Sequence, residues 1–583
     1  MTDQVQPEQG PGASGPGPDG AGFNYRGAEQ ELIVVARPEA QLRAGAAGVR
    51  SATGADVSAL TMFLSDEQLA LEPLFGSEER LRSAAQPAAT AGAETLPDLG
   101  LFYRVRGGGE RAQELRSRIA ALPEIATAYV KPAAVPASVG SVGQSTDESP
   151  RRKEGAPVTP DFTSRQGYLR PAPEGVDAYW AWQRPGGSGQ GVTVIDVEGA
   201  WQLGHEDLAA KLAGVVVGTP IQDLAWRNHG TAVIGVIGGD RNEYGITGIV
   251  PDSVTAAASF HDLGTAAAIH AAAERLGAGD IILIELHRPG PRFDYQERDD
   301  QRGYIPIEWW PDDFAAVRYA TARGILVVEA AGNGGESLDD AVYERRPDEF
   351  PEWWRNPFNP SNQSSGAILV GAGAPPPGTH GRDHGPDRSR LAFSNYGARV
   401  DAQGWGREVT TTGGFWDGPG DLQGGAEEIA WFTDTFSGTS SASPVVVGAL
   451  AALQGMLKAA GQASMTPEQA RKVLRATGSP QQDAPGRPAS QRIGSRPDIK
   501  AAVTQLLPGA VGSGQAERYW DELVPYPREL PPRLRLYVAG GWRSLNNPSA
   551  EIRQSVRSAF ASGRPDVRVW FSDDEIVGLV VTG

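Results

Sequence analysis

The chain has 583 residues, a formal charge of −18, 40% hydrophobic and 21% charged side chains, and no cysteine. It is too long for one ordinary core, and its composition is that of a globular protein of several domains. The charge argues against nucleic acid or an anionic membrane as the main partner, and the missing cysteines exclude disulfides, thiolate metal sites and thiol catalysis.

Residues 1–27 are polar and rich in glycine and proline, the composition of a disordered tail. No basic start followed by an apolar run occurs there, and no run reaches membrane length, so the expected location is the cytoplasm. Residues 28–132 read as strand, helix, strand, helix, strand. Strands are expected at 31–37, 99–106 and 126–131, and helical spacing at 56–75 and 111–125. The alanine-rich stretch 76–98 reads as loop. Residues 133–165 form a linker by composition. Its basic cluster Arg151-Arg152-Lys153 reads as solvated linker, with an exposed processing site as the sharper alternative.

From 166 to 508 the pattern changes. Apolar runs at 191–196, 280–285, 324–330 and 367–371 alternate with helical segments such as 312–323. Continuous apolar strands between helices imply a parallel sheet covered on both faces. Function then gathers at the carboxyl ends of the strands. Asp196 closes one run and Asn333 follows another. Residues 509–583 read as a small α+β region, with strands at 533–538, 567–571 and 575–581 and a helix at 549–562.

Three chemical groups then appear in the order acid, imidazole, hydroxyl. Asp196 ends a strand, His229 sits in Asn-His-Gly-Thr before an apolar run, and Ser440 sits in Gly-Thr-Ser-Ser-Ala-Ser-Pro at the head of a buried helix. Serine is a weak nucleophile until a neutral imidazole takes its proton, and a carboxylate must hold that imidazole in the right tautomer. The helix start offers free backbone N–H groups to a developing oxyanion, and the Asn333 amide in Ala-Ala-Gly-Asn-Gly is a second donor. Each element alone has a bland reading as a cap, a turn or a satisfied side chain.

Together these contexts resemble the subtilisin-like serine peptidases, the subtilases. The likeness rests on Val194-Ile-Asp196, His229-Gly-Thr231, Ala331-Gly-Asn-Gly334 and Gly438-Thr-Ser-x-Ala-x-Pro444, with lesser landmarks at 245–251 and 393–397. The acid–imidazole–hydroxyl order is that of the subtilisin arrangement and is used as a match. The resemblance implies a seven-stranded parallel sheet flanked by helices, peptide-bond hydrolysis through an acyl-enzyme on Ser440, and protein or peptide substrates. It implies catalytic roles for Asp196, His229 and Ser440, an oxyanion role for Asn333, and substrate contacts from Glu285, Leu286, His287 and Gly332. It also implies that residues 28–132 act as a propeptide-like α+β domain that inhibits the peptidase domain intramolecularly. No cofactor is needed for the chemistry, no metal ligand set is expected, and calcium enters only as a structural ion.

The sequence departs from the family at several points. Val197-Glu198-Gly199 follows the acid where the family has a hydroxyl residue and glycine; Glu198 reads as a surface or ion-paired residue. Glu285-Leu286-His287 stands for the usual Ser-Leu-Gly, and Glu285 reads as ion-paired, or else as a group that narrows the cleft or favours a basic substrate side chain. Residues 335–362 and 374–387 read as surface insertions, and His380 and His384 as solvated. The competing functional readings are a subtilase shell that binds without turnover and an esterase or acyl-transfer enzyme.

Overall fold

A computed structural model describes residues 25–45, 48–77, 81, 97–139, 159–507, 512–523, 532–562, 566–572 and 574–582. Most of the expected tail, most of the 76–98 stretch and the Arg151-Arg152-Lys153 cluster lie outside the described residues. The chain forms two compact units, Met1–Ile499 and Lys500–Gly583.

The centre of the first unit is a seven-stranded sheet. In spatial order its strands are Val400–Trp405, Ile368–Gly373, Leu326–Ala330, Ile281–Ile284, Thr193–Glu198, Val254–Ser259 and Leu212–Val217. All neighbours run parallel. The strands Ile281–Ile284 and Leu326–Ala330 are buried at every position, as expected for a sheet covered by helices on both faces. The chain lays strands on one side of Thr193–Glu198 and then crosses to the other. The carboxyl end of that strand therefore opens on the crevice where ligands bind in open α/β sheets.

Two helices converge on this crevice. Leu224–Gly238 starts at Asp223, whose carboxylate accepts the Trp226 N–H, and carries His229. Thr439–Ala459 carries Ser440 in its first turn. This helix is long and apolar enough to cross a membrane, yet it is wholly buried in protein.

The N-terminal part of the unit is a four-stranded antiparallel sheet ordered Ala70–Pro73, Phe102–Arg106, Glu31–Ala36, Ile125–Lys131. Helices Ser58–Asp66 and Ala112–Ala120 supply Leu60, Leu64, Leu115 and Ile119 to its core. The expected helical span 56–75 is too long, because the chain turns after Asp66 and adds Ala70–Pro73 as an edge strand. The other face of the sheet sits on the helices Thr265–Ala273 and Pro311–Ala322 through buried charge. Lys131 Nζ lies 2.6 Å from Asp312, 3.1 Å from Asp313 and 3.4 Å from Glu31, and Arg288 lies 2.6 Å from Glu31. Asp312 and Asp313 stand in the first turn of their helix, where the dipole favours anions.

The expected surface insertion at 335–362 is partly core. Phe350 and Trp354 are buried and pack on Trp309 at ring distances of 5.1 Å each, and Tyr129 of the N-terminal sheet meets Phe350 at 5.1 Å. Aromatic rings in a charged, proline-rich sequence disguised a packed cluster as a surface loop.

The second unit is a six-stranded sheet carrying the helix Ala550–Ala561, with Leu534, Leu536, Val556, Val567 and Val569 in its core. The strands expected at 533–538, 567–571 and 575–581 are present, and three further strands, Gly512–Gln515, Arg518–Asp521 and Gly541–Asn546, join them.

Candidate active site

Asn333 is tied to the helix start that carries Ser440, and the carboxyl bonded to His229 is not the expected Asp196. The strand read as ending at Asp196 runs on to Glu198. Side chains two apart on a strand share a face, so Asp196 and Glu198 both point into the same buried space. It is Glu198 Oε1 that bonds His229 Nδ1. Asp196 instead accepts the Trp201 indole N–H at 2.7 Å. Glu198 is therefore not a surface residue, and the group it pairs with is the His229 imidazole. The signal was in the sequence: Val197 between two acids continues the strand alternation, so either acid could face the imidazole.

Electrostatics couples the two acids. Burial pushes both carboxyls well above the usual range, and the proximity of Glu198 raises Asp196 further. Two buried carboxyls side by side cannot both ionise at neutral pH. Asp196 Oδ1 and Glu198 Oε2 are both buried without a hydrogen-bond partner, so one proton shared between the two carboxyls would serve both.

Glu285 is a third buried carboxyl in this space. Its Oε1 accepts the Ser443 hydroxyl at 2.5 Å, one turn along the helix from Ser440. Burial, followed by the charge of Asp196, raises it well above the ordinary range. Among the described residues no lysine or arginine pairs with it. The ion-paired reading of Glu285 is thus corrected, and so is the basic-substrate reading, because its carboxyl is turned into the core beneath the serine.

His229 is 5% exposed, and burial lowers its pKa to about 3, with the charge of Asp196 opposing. Its Nε2 is buried without a hydrogen-bond partner among the described residues, and the Ser440 hydroxyl is buried against the Glu285 carboxyl, which it stabilises in the charged form. Asn333 is anchored by its Oδ1, which accepts the Thr439 N–H and hydroxyl, each at 3.0 Å. One Asn333 amide hydrogen goes to Gln301 Oε1 at 3.2 Å. The Gly332 N–H bonds the Thr439 hydroxyl at 3.2 Å, and the Asn333 N–H bonds His287 Nδ1 at 3.3 Å. Gly332 thus braces the loop that carries Asn333.

The cleft is filled by this chain's own segment 135–138. Val135–Pro136 pairs antiparallel with Leu286–Pro289, matching Leu286 with Pro136 and His287 with Val135. The Ala137 N–H bonds the Glu285 carbonyl at 3.2 Å, and the Ala137 carbonyl accepts the Ser440 N–H at 3.1 Å. Gly438 permits this approach. It has φ +110°, and a Cβ there would stand 2.2 Å from the Ala137 oxygen. The backbone of Glu285, Leu286 and His287 is thus paired with the chain's own segment 135–137.

Among the described residues no group of three or more histidine and carboxylate side chains is arranged to hold a metal ion. His384 and His380 are not solvated. His384 Nε2 lies 2.9 Å from Glu408, and His380 bonds the Asp434 and Arg165 carbonyls.

A parallel sheet with a serine at a helix start, an imidazole on a facing helix and a peptide paired beside them defines a serine hydrolase of the α/β class. The profile of the Subtilase family, Peptidase S8, matches residues 192–494, and the chain belongs to that family. It is 27% identical over 325 residues to an intracellular serine protease of Paenibacillus polymyxa, covering 52% of this chain and 80% of that one. It is 28% identical over 272 residues to subtilisin BL of Lederbergia lenta, covering 46% and 76%. Fervidolysin from Fervidobacterium pennivorans, described as a keratinolytic enzyme related to subtilisin, aligns with 90% of this chain and 69% of its own at a TM-score of 0.46 and 15% identity. The protein is a subtilisin-like serine endopeptidase, a hydrolase of protein or peptide substrates.

Proposed function

We propose that Ser440, His229 and Glu198 form the catalytic triad, and that the N-terminal sheet restrains the enzyme until the Ala137–Ser138 bond is cut. The observation that carries this is the Ala137 carbonyl on the Ser440 N–H, with the Ala137 N–H on the Glu285 carbonyl. His229 Nε2 takes the Ser440 proton as Oγ attacks the Ala137 carbonyl carbon. Glu198 holds Nδ1–H and balances the imidazolium. The oxyanion forms where the Ser440 N–H already points, and the second amide hydrogen of Asn333 is the other donor. Each such donor is worth about 10²–10³ in turnover. Collapse breaks the C–N bond, and the Ser138 nitrogen leaves with the proton from His229. Water then hydrolyses the acyl-serine by the reverse sequence.

None of these steps calls on a cofactor. The P. polymyxa relative's name supports an intracellular setting, and we place this enzyme in the cytoplasm, where restraint of a peptidase by its own N-terminal segment has clear value. Intact mass of the purified protein beside Ser440→Ala tests the reading. The wild type is expected to yield a mature chain starting at Ser138, and Ser440→Ala to stay whole. Cleavage in both, or at an unrelated bond, contradicts it.

A further inference from the structure

The N-terminal segment enters the crevice at a second place, beyond the bond that occupies Ser440. Tyr25 is 7% exposed and lies between two indoles. Its ring is 4.9 Å from Trp226 and 4.7 Å from Trp416, and 6.5 Å edge-on from the His229 imidazole. Ser138, the residue after the bond to be cut, lines the same cavity, as do Val139, Asn228, Gly414 and Phe436. With Tyr25 in place only about 30 Å³ is left free, room for a water or two. The Trp226 indole also donates to the Arg26 carbonyl at 3.0 Å, so the pocket reads an aromatic ring together with the next backbone carbonyl.

The walls are built for this shape. Trp226 is fully buried one turn before His229, and its ring lies flat on Gly199, where a Cβ would stand 2.3 Å from it. Trp416 has φ +59°, costly for a bulky residue. Asn228 holds it there, donating to the Trp416 and Gly418 carbonyls at 2.6 and 2.9 Å and accepting the Gly414 N–H at 3.0 Å. The second wall is thus tied to the residue beside the catalytic imidazole. Strain maintained by a dedicated clamp points to a use for the ring in that position.

We propose that this cavity is a substrate subsite on the leaving-group side of the scissile bond, and that it selects an aromatic side chain within the first three residues after that bond. Tyr25 is its resident occupant in the closed protein. It lies in the segment ahead of the Ala137–Ser138 bond and departs with it, opening the site to substrate. An aromatic ring between two tilted indoles adds attraction beyond the area it buries. This inference rests on the peptidase reading above.

The test uses the full-length protein after self-processing and a peptide library with alanine before the bond and all residues varied at the three positions after it. The expected result is that tyrosine, phenylalanine or tryptophan at one of those positions raises kcat/KM about tenfold over alanine. In Trp416→Ala, or in Trp416→Leu should the first variant fold poorly, that aromatic-to-alanine ratio falls to near one. Cleavage without aromatic preference overturns this inference and leaves the peptidase reading intact. Failure to cleave any member overturns both.

Discussion

The proposed chemistry turns on two acids separated by one valine. Asp196 and Glu198 share a face of one strand, and only Glu198 reaches His229. Among the described residues no lysine or arginine acts on either acid, and burial disfavours their ionisation. The same burial lowers His229 to about 3. A lowered pKa keeps the imidazole neutral, and so able to accept the serine proton, at pH values where an ordinary histidine near 6.5 is already charged. Self-processing occurs in this closed arrangement. Its rate should nevertheless fall as the pH falls, because Glu198, whose carboxyl burial raises, takes up a proton and no longer balances the imidazolium. A rate unchanged on acidification, read by gel or mass over a pH series, would contradict the account. Ser440, His229 and Asn333 were legible in the sequence because each sits in a short glycine-rich context that fixes its backbone. Glu198 was missed because the apolar run seemed to stop at Asp196, although Val197 carries the alternation one step further and puts Glu198 on the same face.

At the level of elements, the N-terminal sheet is held by charge as well as by apolar area. Lys131 is fully buried among Glu31, Asp312 and Asp313. Burial alone would lower its pKa, but Asp312, Asp313 and Glu31 outweigh that and raise it. Removing one partner of a buried ion pair costs about 3–5 kcal/mol, since the remaining charges stay dry and unpaired. Lys131→Met should weaken the grip of the cleaved N-terminal segment on the processed enzyme by roughly two to three powers of ten. Inhibition of the processed enzyme by its released segment measures this; an unchanged inhibition constant would mean the charges contribute nothing to docking. The strands and helices of this sheet were largely visible from apolar spacing, yet the edge strand Ala70–Pro73 was absorbed into a helix because Leu69, Leu71 and Leu74 continue a helical-looking spacing past the turn at Asp66. The Lys131 network could not be read in advance: its members come from positions as far apart as 31 and 313, and nothing local marks a lysine as buried.

Over the whole molecule, the N-terminal segment occupies the crevice on both sides of one bond, with 135–137 along the substrate strand and Tyr25 beyond it. The catalytic groups and their hydrogen-bond partners all lie before residue 500, and the unit Lys500–Gly583 has its own core. A chain ending at Leu507 should therefore still cut itself after Ala137, as its mass will reveal; loss of cutting would give the last unit a part in catalysis. The parallel sheet was legible because buried strands are continuous apolar runs. The insertion packed on Trp309 was not, since its aromatic residues are scattered among prolines and charges. The most direct test of the account compares Glu198→Gln with Asp196→Asn, each scored by the rate at which the Ala137–Ser138 bond is cut. Glu198→Gln should slow cutting by about 10³–10⁴, the usual cost of losing the carboxylate on the imidazole, while Asp196→Asn stays within about tenfold of wild type because it keeps a neutral hydrogen-bonding group behind Glu198. A crippled Asp196→Asn beside a competent Glu198→Gln would return the catalytic role to Asp196 and contradict the central claim.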